Sequence, residues 1–103
     1  MSYDIVLAPE AVEDLRGLRA NVRAAVRDAI ERHLRHEPTK TSKARIKRPR
    51  GLSRPQYRLR VGDVRVFYDV AAKTVEILAI VPKADADEWL RNVGETNEEN
   101  SPV

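Results

Sequence analysis

The fold is decided by the stretch from Pro55 to Pro82, which reads P-Q-Y-R-L-R-V-G-D-V-R-V-F-Y-D-V-A-A-K-T-V-E-I-L-A-I-V-P. Apolar and polar residues alternate in it with period two around two turn signals, and this pattern predicts a three-stranded antiparallel meander. Gly62-Asp63 is the first turn signal. Glycine at the first central position is typical of a type II′ hairpin turn, which fixes the register of the two strands on either side.

The predicted register divides the first hairpin into an apolar face and a polar face. The apolar face consists of Tyr57, Leu59, Val61, Val64, Val66, Tyr68 and Val70. The other face consists of Arg58, Arg60, Arg65, Phe67 and Asp69. Arg60 lies directly opposite Arg65, and like charges in such a pair are destabilising. We therefore expect the arginine face either to be solvated or to bind an anion.

The composition bounds the class of protein. With 103 residues, 42% apolar and 34% charged, the chain is predicted to form one small globular domain. No run approaches the roughly 18 apolar residues of a membrane span, and the first residues lack the pattern of a secretory signal. The absence of cysteine excludes disulfides and thiolate chemistry and favours a reducing compartment. We expect a cytoplasmic protein without a membrane partner.

The net charge of +3 hides a local concentration of positive charge. Residues 39–60 hold nine lysines and arginines and no acid, whereas residues 83–103 hold two cations and six acids. A basic block is most often a solvated loop, but this one leads directly into the arginine face. That continuity predicts a site for a polyanion, because clustered Lys and Arg side chains supply most of the affinity for nucleic acid.

The rest of the chain predicts an α+β fold. Residues 3–7 form a strand whose partner the pattern leaves open, and a first helix begins at Pro9, a residue suited to the first helical position. A second helix runs over residues 22–36, with Asn21 as its cap and Pro38 after its end. The two helices form a hairpin that covers the apolar face of the meander.

The segments that flank the meander are predicted to differ in order. Residues 39–54 lack apolar periodicity and are predicted to be a basic loop that is mobile without a partner. Residues 84–93 predict a short last helix that Gly94 ends. The domain is therefore predicted to span residues 1–94, followed by an acidic, disordered tail at residues 95–103.

Candidate chemistry is limited to the cations. His33 and His36 have no nearby Ser or acid at a spacing that suggests a triad or a metal site, and the four glycines are isolated, so we predict neither a metal nor a cofactor. Clustered cations can bind a phosphate and stabilise its pentacoordinate transition state. They are poor proton-transfer groups, since arginine is not deprotonated in proteins.

These residues resemble a known family. The element order, the stretch Y-R-L-R-V-G-D-V-R-V-F-Y-D-V and the following V-E-I-L-A-I-V-P-K resemble the RelE/ParE superfamily of toxins from bacterial type II toxin-antitoxin pairs, over about residues 3–90. The RelE branch cleaves mRNA in the ribosomal A site by attack of a ribose 2′-OH on the adjacent phosphate, without metal. The ParE branch inhibits DNA gyrase. The resemblance implies a RelE-like fold and an acidic antitoxin partner that could form a hetero-oligomer with the toxin.

The resemblance also assigns roles. Arg65 matches the arginine that stabilises the transition-state phosphate, Arg58 matches a lysine of the preceding strand, and Lys83 matches the cation that assists the leaving group. These three are the predicted catalytic residues. The residues predicted to contact RNA are Lys43, Arg45, Lys47, Arg48, Arg50, Arg54, Arg60 and Trp89.

Two positions depart from the pattern of the well-studied ribonucleases. Where those carry lysines before the Gly-Asp turn, one of them a candidate general base, this chain has Gln56 and Arg58. Where they carry a tyrosine in the last helix, this chain has Trp89, which cannot exchange a proton and which either stacks on a base or closes the core. Lys47 or Lys43 could act as the base instead.

The favoured prediction is a toxin that cleaves mRNA in a ribosome-dependent manner, with ribosome and mRNA as its targets. Two alternatives stay open. The first is a non-enzymatic, ParE-like inhibitor of DNA gyrase, and the second is a degenerate toxin that only binds its antitoxin.

Overall fold

The computed structural model describes residues 2–96 and has helices on both faces of a five-stranded sheet. The strands are β1 (Asp4–Leu7), β2 (Ile46–Lys47), β3 (Leu52–Arg54), β4 (Tyr57–Val61), β5 (Val64–Ala71), β6 (Thr74–Pro82) and β7 (Glu95–Thr96). The helices are α1 (Pro9–Arg16), α2 (Ala20–Ala29) and α3 (Lys83–Val93). The sheet order is β1-β6-β5-β4-β2, with β1 parallel to β6, and β3 pairs with β7 in a separate ribbon.

The predicted α+β fold and its meander are confirmed, including the register of the first hairpin. Tyr57 pairs with Tyr68, and Arg60 pairs with Arg65. Of the two turn residues, only Gly62 has a positive φ, of +57°, as the first central residue of a type II′ turn requires. The open question of the first strand is also answered, because β1 lies at the edge of the sheet beside β6.

The helical hairpin covers the apolar face of the meander, as predicted. Val26, Leu34 and Leu59 are fully buried in this core, together with side chains of α1, β5 and β6. Tyr68 is buried there as well, and its hydroxyl donates a hydrogen bond of 2.6 Å to the Pro38 carbonyl. The segment that follows the second helix therefore packs against the sheet at Pro38.

A β-bulge in β6 creates a second, smaller core on the opposite face of the sheet. Leu78 is left out of the pairing with β5, so Ile77 and Ile80 both face the first core while Ala79 faces the second. α3 packs on this second core.

At the same bulge, the backbone N–H of Ile80 donates a hydrogen bond of 2.9 Å to the carboxylate of Asp14 in α1. Burial raises the pKa of the Asp14 carboxyl.

The prediction that residues 39–54 form only a loop is wrong, because this segment contains β2 and β3. Ile46 is the reason for β2: it pairs with Leu59 and is only 4% exposed. β3 exists because Leu52 pairs with Thr96 of β7. A single apolar residue in a basic block shows no periodicity, so the pattern gave no sign of either strand.

Several boundaries differ from the prediction. Asn21 is not the cap of the second helix, since α2 begins at Ala20 after Arg19 and a hydrogen bond from the Arg23 amide to the Arg19 carbonyl closes its first turn. The helix continues as a π-helical turn at Ile30–Leu34 instead of an α-helix to residue 36. The last helix begins one residue early, at Lys83.

The predicted tail, residues 95–103, begins with two residues that form β7, and the rest of it lies outside the described residues. Within residues 2–96, no helix has the length and apolar character needed to cross a bilayer.

Candidate functional site

A concave cavity of about 400 Å³ lies between residues 47–50, the β4–β5 hairpin and one face of α3. Six of the residues that line it are cations, namely Lys47, Arg48, Arg50, Arg58, Arg65 and Lys83. The other lining residues are Pro49, Phe67, Ala86, Asp87 and Leu90. We call this concavity the cationic cavity. Because one carboxylate accompanies six cations, the walls focus a positive potential into it.

Arg65 is the one buried charged side chain among residues 2–96, with 7% of its surface exposed. Its Nη1 donates hydrogen bonds to the carbonyls of Gly62, at 2.8 Å, and Val64, at 3.1 Å. The hairpin turn therefore fixes the position of the guanidinium group. Both acceptors are neutral, and Arg65 forms no ion pair with a described residue.

Arg58 lies beside Arg65 on the same face and is also incompletely satisfied. Its Nε is buried without a hydrogen-bond partner in the described part of the chain. Burial, followed by the positive charges of Arg65 and Arg60, lowers the pKa of the Arg58 guanidinium. An arginine stays charged even so, and a buried donor without an acceptor is costly. An anion bound in the cavity would offset both effects.

Lys83 reaches the cavity because α3 begins at the hairpin turn. The backbone N–H of Lys83 donates a hydrogen bond of 2.7 Å to the carbonyl of Asp63. One short turn, Gly62-Asp63, thus positions both the Arg65 guanidinium and the first residue of α3. Positions 83, 86, 87 and 90 follow the helical spacing that places side chains on one face, and all four line the cavity.

The remaining cations come from the end of β2 and the segment that follows it. Lys47 pairs with Arg58 across the β2–β4 ladder, which attaches the basic segment to the rim of the cavity. The Arg48 guanidinium lies over the Tyr57 ring at 5.4 Å from the ring centroid, in a cation–π contact. The structure therefore brings together six of the predicted cations.

The other predicted RNA contacts do not line this cavity, namely Lys43, Arg45, Arg54, Arg60 and Trp89. Arg54 instead forms ion pairs with Asp69 at 3.3 Å and Glu76 at 3.7 Å. Trp89 stacks on Phe67, with ring centroids 4.9 Å apart, and its Nε1 donates a hydrogen bond of 2.8 Å to Glu10. Trp89 thus packs against the second core and stays partly buried there.

The Gln56 position is structural as well. The side-chain oxygen of Gln56 accepts a hydrogen bond of 2.8 Å from the backbone N–H of Val70. The backbone N–H of Gln56 donates one of 2.7 Å to the carboxylate of Asp69. A side chain held in this way at the start of β4 is not free to take part in proton transfer.

Asp87 and the apolar part of the cavity were missed at the sequence level. Asp87 is not among the predicted site residues, although its spacing of four residues from Lys83 places the two on one helical face. Phe67 was assigned to the arginine face without a packing partner, and α3 supplies that partner. The signal in the sequence is the spacing of positions 83, 86, 87 and 90, which places these four residues on one face of a helix.

The cavity is suited to bind a phosphodiester and to stabilise additional negative charge on it. The described residues that line it include neither histidine nor tyrosine. Across residues 2–96, no group of three or more His, Asp or Glu side chains is arranged to hold a metal ion. Any metal-free chemistry here must use arginine, lysine and aspartate.

The fold and the site define a class of small α+β protein with a cationic cavity between a hairpin and a terminal helix. Within that class, the family model described as "ParE toxin of type II toxin-antitoxin system, parDE" matches residues 5–86. The chain therefore belongs to this toxin family, and it is the toxin of a type II toxin-antitoxin system. No curated protein matches it in sequence.

Solved structures share the fold. In the toxin-antitoxin complex RelBE2 from Mycobacterium tuberculosis, the matched chain is 25% identical with a TM-score of 0.65, covering 80% of this chain and 99% of that one. The RelB-RelE complex from Methanococcus jannaschii matches at 21% identity and a TM-score of 0.64, over 82% and 96% of the two chains. A mutant of the E. coli toxin RelE in the free state matches at 16% identity and a TM-score of 0.68, over 90% and 99%.

Proposed function

We propose that this toxin cleaves mRNA on the ribosome and that the cationic cavity holds the scissile phosphate. The observation that carries the proposal is the convergence of Arg58, Arg65 and Lys83 in one cavity, where Arg58 Nε is buried and has no partner among the described residues. Positive charge that is fixed in place before the substrate arrives favours a transition state in which negative charge increases. Such cleavage would occur in the cytoplasm, where ribosomes and mRNA are found.

In the proposed reaction, a ribose 2′-oxygen attacks the adjacent phosphorus. The bond from this oxygen to phosphorus forms, the bond from phosphorus to the 5′-oxygen breaks, and a 2′,3′-cyclic phosphate and a 5′-hydroxyl result. Arg65 and Arg58 stabilise the charge on the non-bridging oxygens. The Lys83 ammonium group donates a proton to the departing 5′-oxygen, a transfer that needs no metal.

The direct test is single-turnover cleavage of mRNA on programmed ribosomes. Lys83→Ala and Arg58→Ala should each lower the rate by about 10²-fold or more, as removal of a preorganised transition-state contact does. Lys73→Ala is the matched control, because it removes one positive charge from an exposed position at the far end of β5 and β6. Intact mRNA after incubation with ribosomes and excess unmodified toxin would contradict the proposal.

A second candidate function is inhibition of DNA gyrase without cleavage. It is favoured by the ParE description of the matching family model and by the lack of histidine and tyrosine among the described residues of the cavity. The two candidates separate cleanly in purified assays. Inhibited supercoiling by gyrase together with uncleaved mRNA on ribosomes would favour this second function.

The proposed partner in the resting cell is a cognate acidic antitoxin, bound in a hetero-oligomer. The support comes from the solved relatives in M. tuberculosis and M. jannaschii, which are toxin-antitoxin complexes. An acidic partner also matches a cavity whose cations form no ion pairs with described residues.

A further inference from the structure

A second concavity, of about 450 Å³, adjoins the cationic cavity. Its lining consists of Pro49, Arg50, Leu52, Asp87, Leu90, Arg91, Gly94 and Thr96. We call it the adjoining cavity. Four residues line both cavities, namely Pro49, Arg50, Asp87 and Leu90, so the two are adjacent beside α3.

The adjoining cavity is built by the β3–β7 ribbon. The chain turns back after α3 at Gly94, where an added Cβ would lie 2.5 Å from the Leu90 carbonyl oxygen and 3.1 Å from a methyl group of Leu52. Only glycine permits this close approach. Leu52 and Leu90 line the cavity, together with Arg50 and Arg91.

A lining of leucines and arginines suits an unstacked nucleobase, since proteins bind single-stranded RNA by packing bases against apolar and guanidinium surfaces. If the scissile phosphate occupies the cationic cavity, the base on its 5′ side would occupy the adjoining cavity. The ribose that joins them would then lie at the boundary. Asp87 stands at that boundary, because it lines both cavities.

We propose that Asp87 is the general base of the reaction, an inference that rests on the proposed ribonuclease function. Asp87 is the one carboxylate among the described residues that line either cavity. Its side chain makes no ion pair or hydrogen bond within residues 2–96, so its oxygens are available to a substrate. It supplies the proton acceptor that Gln56 and Arg58 cannot supply.

The proton balance of the reaction is then complete. The 2′-OH transfers its proton to a carboxylate oxygen of Asp87 as the 2′-oxygen bonds to phosphorus, and Lys83 gives a proton to the 5′-oxygen as that bond breaks. After the reaction, proton exchange with solvent returns the protonated carboxyl and the neutral amine to their starting states. Lys83 and Asp87 are one helical turn apart on α3. One face of one helix holds both proton-transfer groups.

The first experiment measures single-turnover cleavage on programmed ribosomes for Asp87→Asn, a nearly isosteric change. The rate should fall by about 10²-fold or more, within the range that general bases contribute, while ribosome affinity and thermal stability stay unchanged. Asp85→Asn is the matched control, since Asp85 is exposed on the same helix and lines neither cavity. It should cleave like the unmodified toxin, and Asp87→Glu should retain more activity than Asp87→Asn.

The second experiment uses Asp87→His, which replaces one base with another of different pKa. An imidazole titrates near about pH 6.5, so the cleavage rate of this variant should rise with pH around that value, in a way that the unmodified toxin does not. A merely structural role for Asp87 would not change the pH profile.

The outcomes distinguish the two levels of the argument. If the unmodified toxin leaves mRNA intact, the ribonuclease function fails and the role of Asp87 fails with it. If the unmodified toxin cleaves but Asp87→Asn cleaves equally well, or if Asp87→His has the pH profile of the unmodified toxin, the general base lies elsewhere and the ribonuclease function stands.

Discussion

At the scale of single residues, the arginine face of the first hairpin is an arrangement that costs stability. Arg60 and Arg65 are paired across the ladder, and Arg58 lies on the same face. Like charges in opposing positions repel, and Arg65 is also buried. A fold would gain stability from fewer charges here, so their presence fits a requirement for an anion site.

Arg60→Thr tests this electrostatic cost. Arg60 is exposed and lies outside the cationic cavity, so replacing it by a residue of high strand propensity should stabilise the domain by about 0.2–1 kcal/mol. Denaturant unfolding at low salt measures the change. The gain should shrink in high salt, because added ions screen the repulsion in the parent protein. A variant no more stable than its parent at low salt would contradict the repulsive pairing.

Gly62→Val tests the hairpin turn. A Cβ at this position would meet nothing within 4 Å, so the cost of substitution comes from the φ of +57° alone. A β-branched residue held in that conformation should destabilise the domain by about 1–3 kcal/mol, and Gly62→Asn should cost less. The control is Gly17→Ala, at a position with φ of −76°. Equal melting temperatures for the Val and Asn variants would argue against strain at this turn.

At the scale of elements, the meander could be predicted and the short strands could not. Period-two alternation and a two-residue turn determine the register of β4 and β5 from local residues alone, which is why each predicted pair was found. β2 and β3 are two and three residues long, too short for any periodicity. They depend on contacts that are distant in sequence, such as that of Leu52 with Thr96.

The same reasoning explains how much of the site could be predicted. Arg58, Arg65 and Lys83 were predicted as a group through the family resemblance, and they line one cavity. The contacts of Arg54 and Trp89 could not be predicted, because each depends on a partner far along the chain, Asp69 for the first and Glu10 for the second. The position of Asp87 in the cavity depends on how α3 is rotated about its own axis. The packing of α3 on the second core fixes that rotation.

Gly94→Ala tests the ribbon that forms the adjoining cavity. The added Cβ would lie 2.5 Å from the Leu90 carbonyl oxygen, a backbone atom that cannot move away without disturbing the end of α3. We expect β7 to separate from β3, and the amides of residues 52–54 to exchange faster with solvent. Gly17→Ala should leave that exchange unchanged, because its nearest contact is an ordinary 3.6 Å. Unchanged protection in the Gly94 variant would show that the ribbon tolerates a side chain.

At the scale of the whole molecule, several cations of the helical hairpin form ion pairs, whereas the cations of the cationic cavity form none with described residues. On the helical hairpin, Arg16, Arg32 and Arg35 each form an ion pair with an acid three or four residues earlier. Exposed pairs of this kind add little stability, but they cancel the local field. The six cations of the cationic cavity lie close together, so their uncompensated charges add to one positive potential in it.

That distribution predicts how the antitoxin binds. We expect an acidic segment of the partner, disordered when free, to place carboxylates near Arg58, Arg60 and Arg65, because a partner that offsets uncompensated charge gains both affinity and association rate. The affinity should fall as salt rises from roughly 0.05 to 0.5 M, a range over which the Debye length shortens several-fold. Arg58→Gln should weaken binding and flatten its dependence on salt, whereas Lys73→Gln, at the far end of the sheet, should change neither. Binding that is independent of salt over this range, measured by calorimetry with the purified pair, would place the antitoxin on another surface.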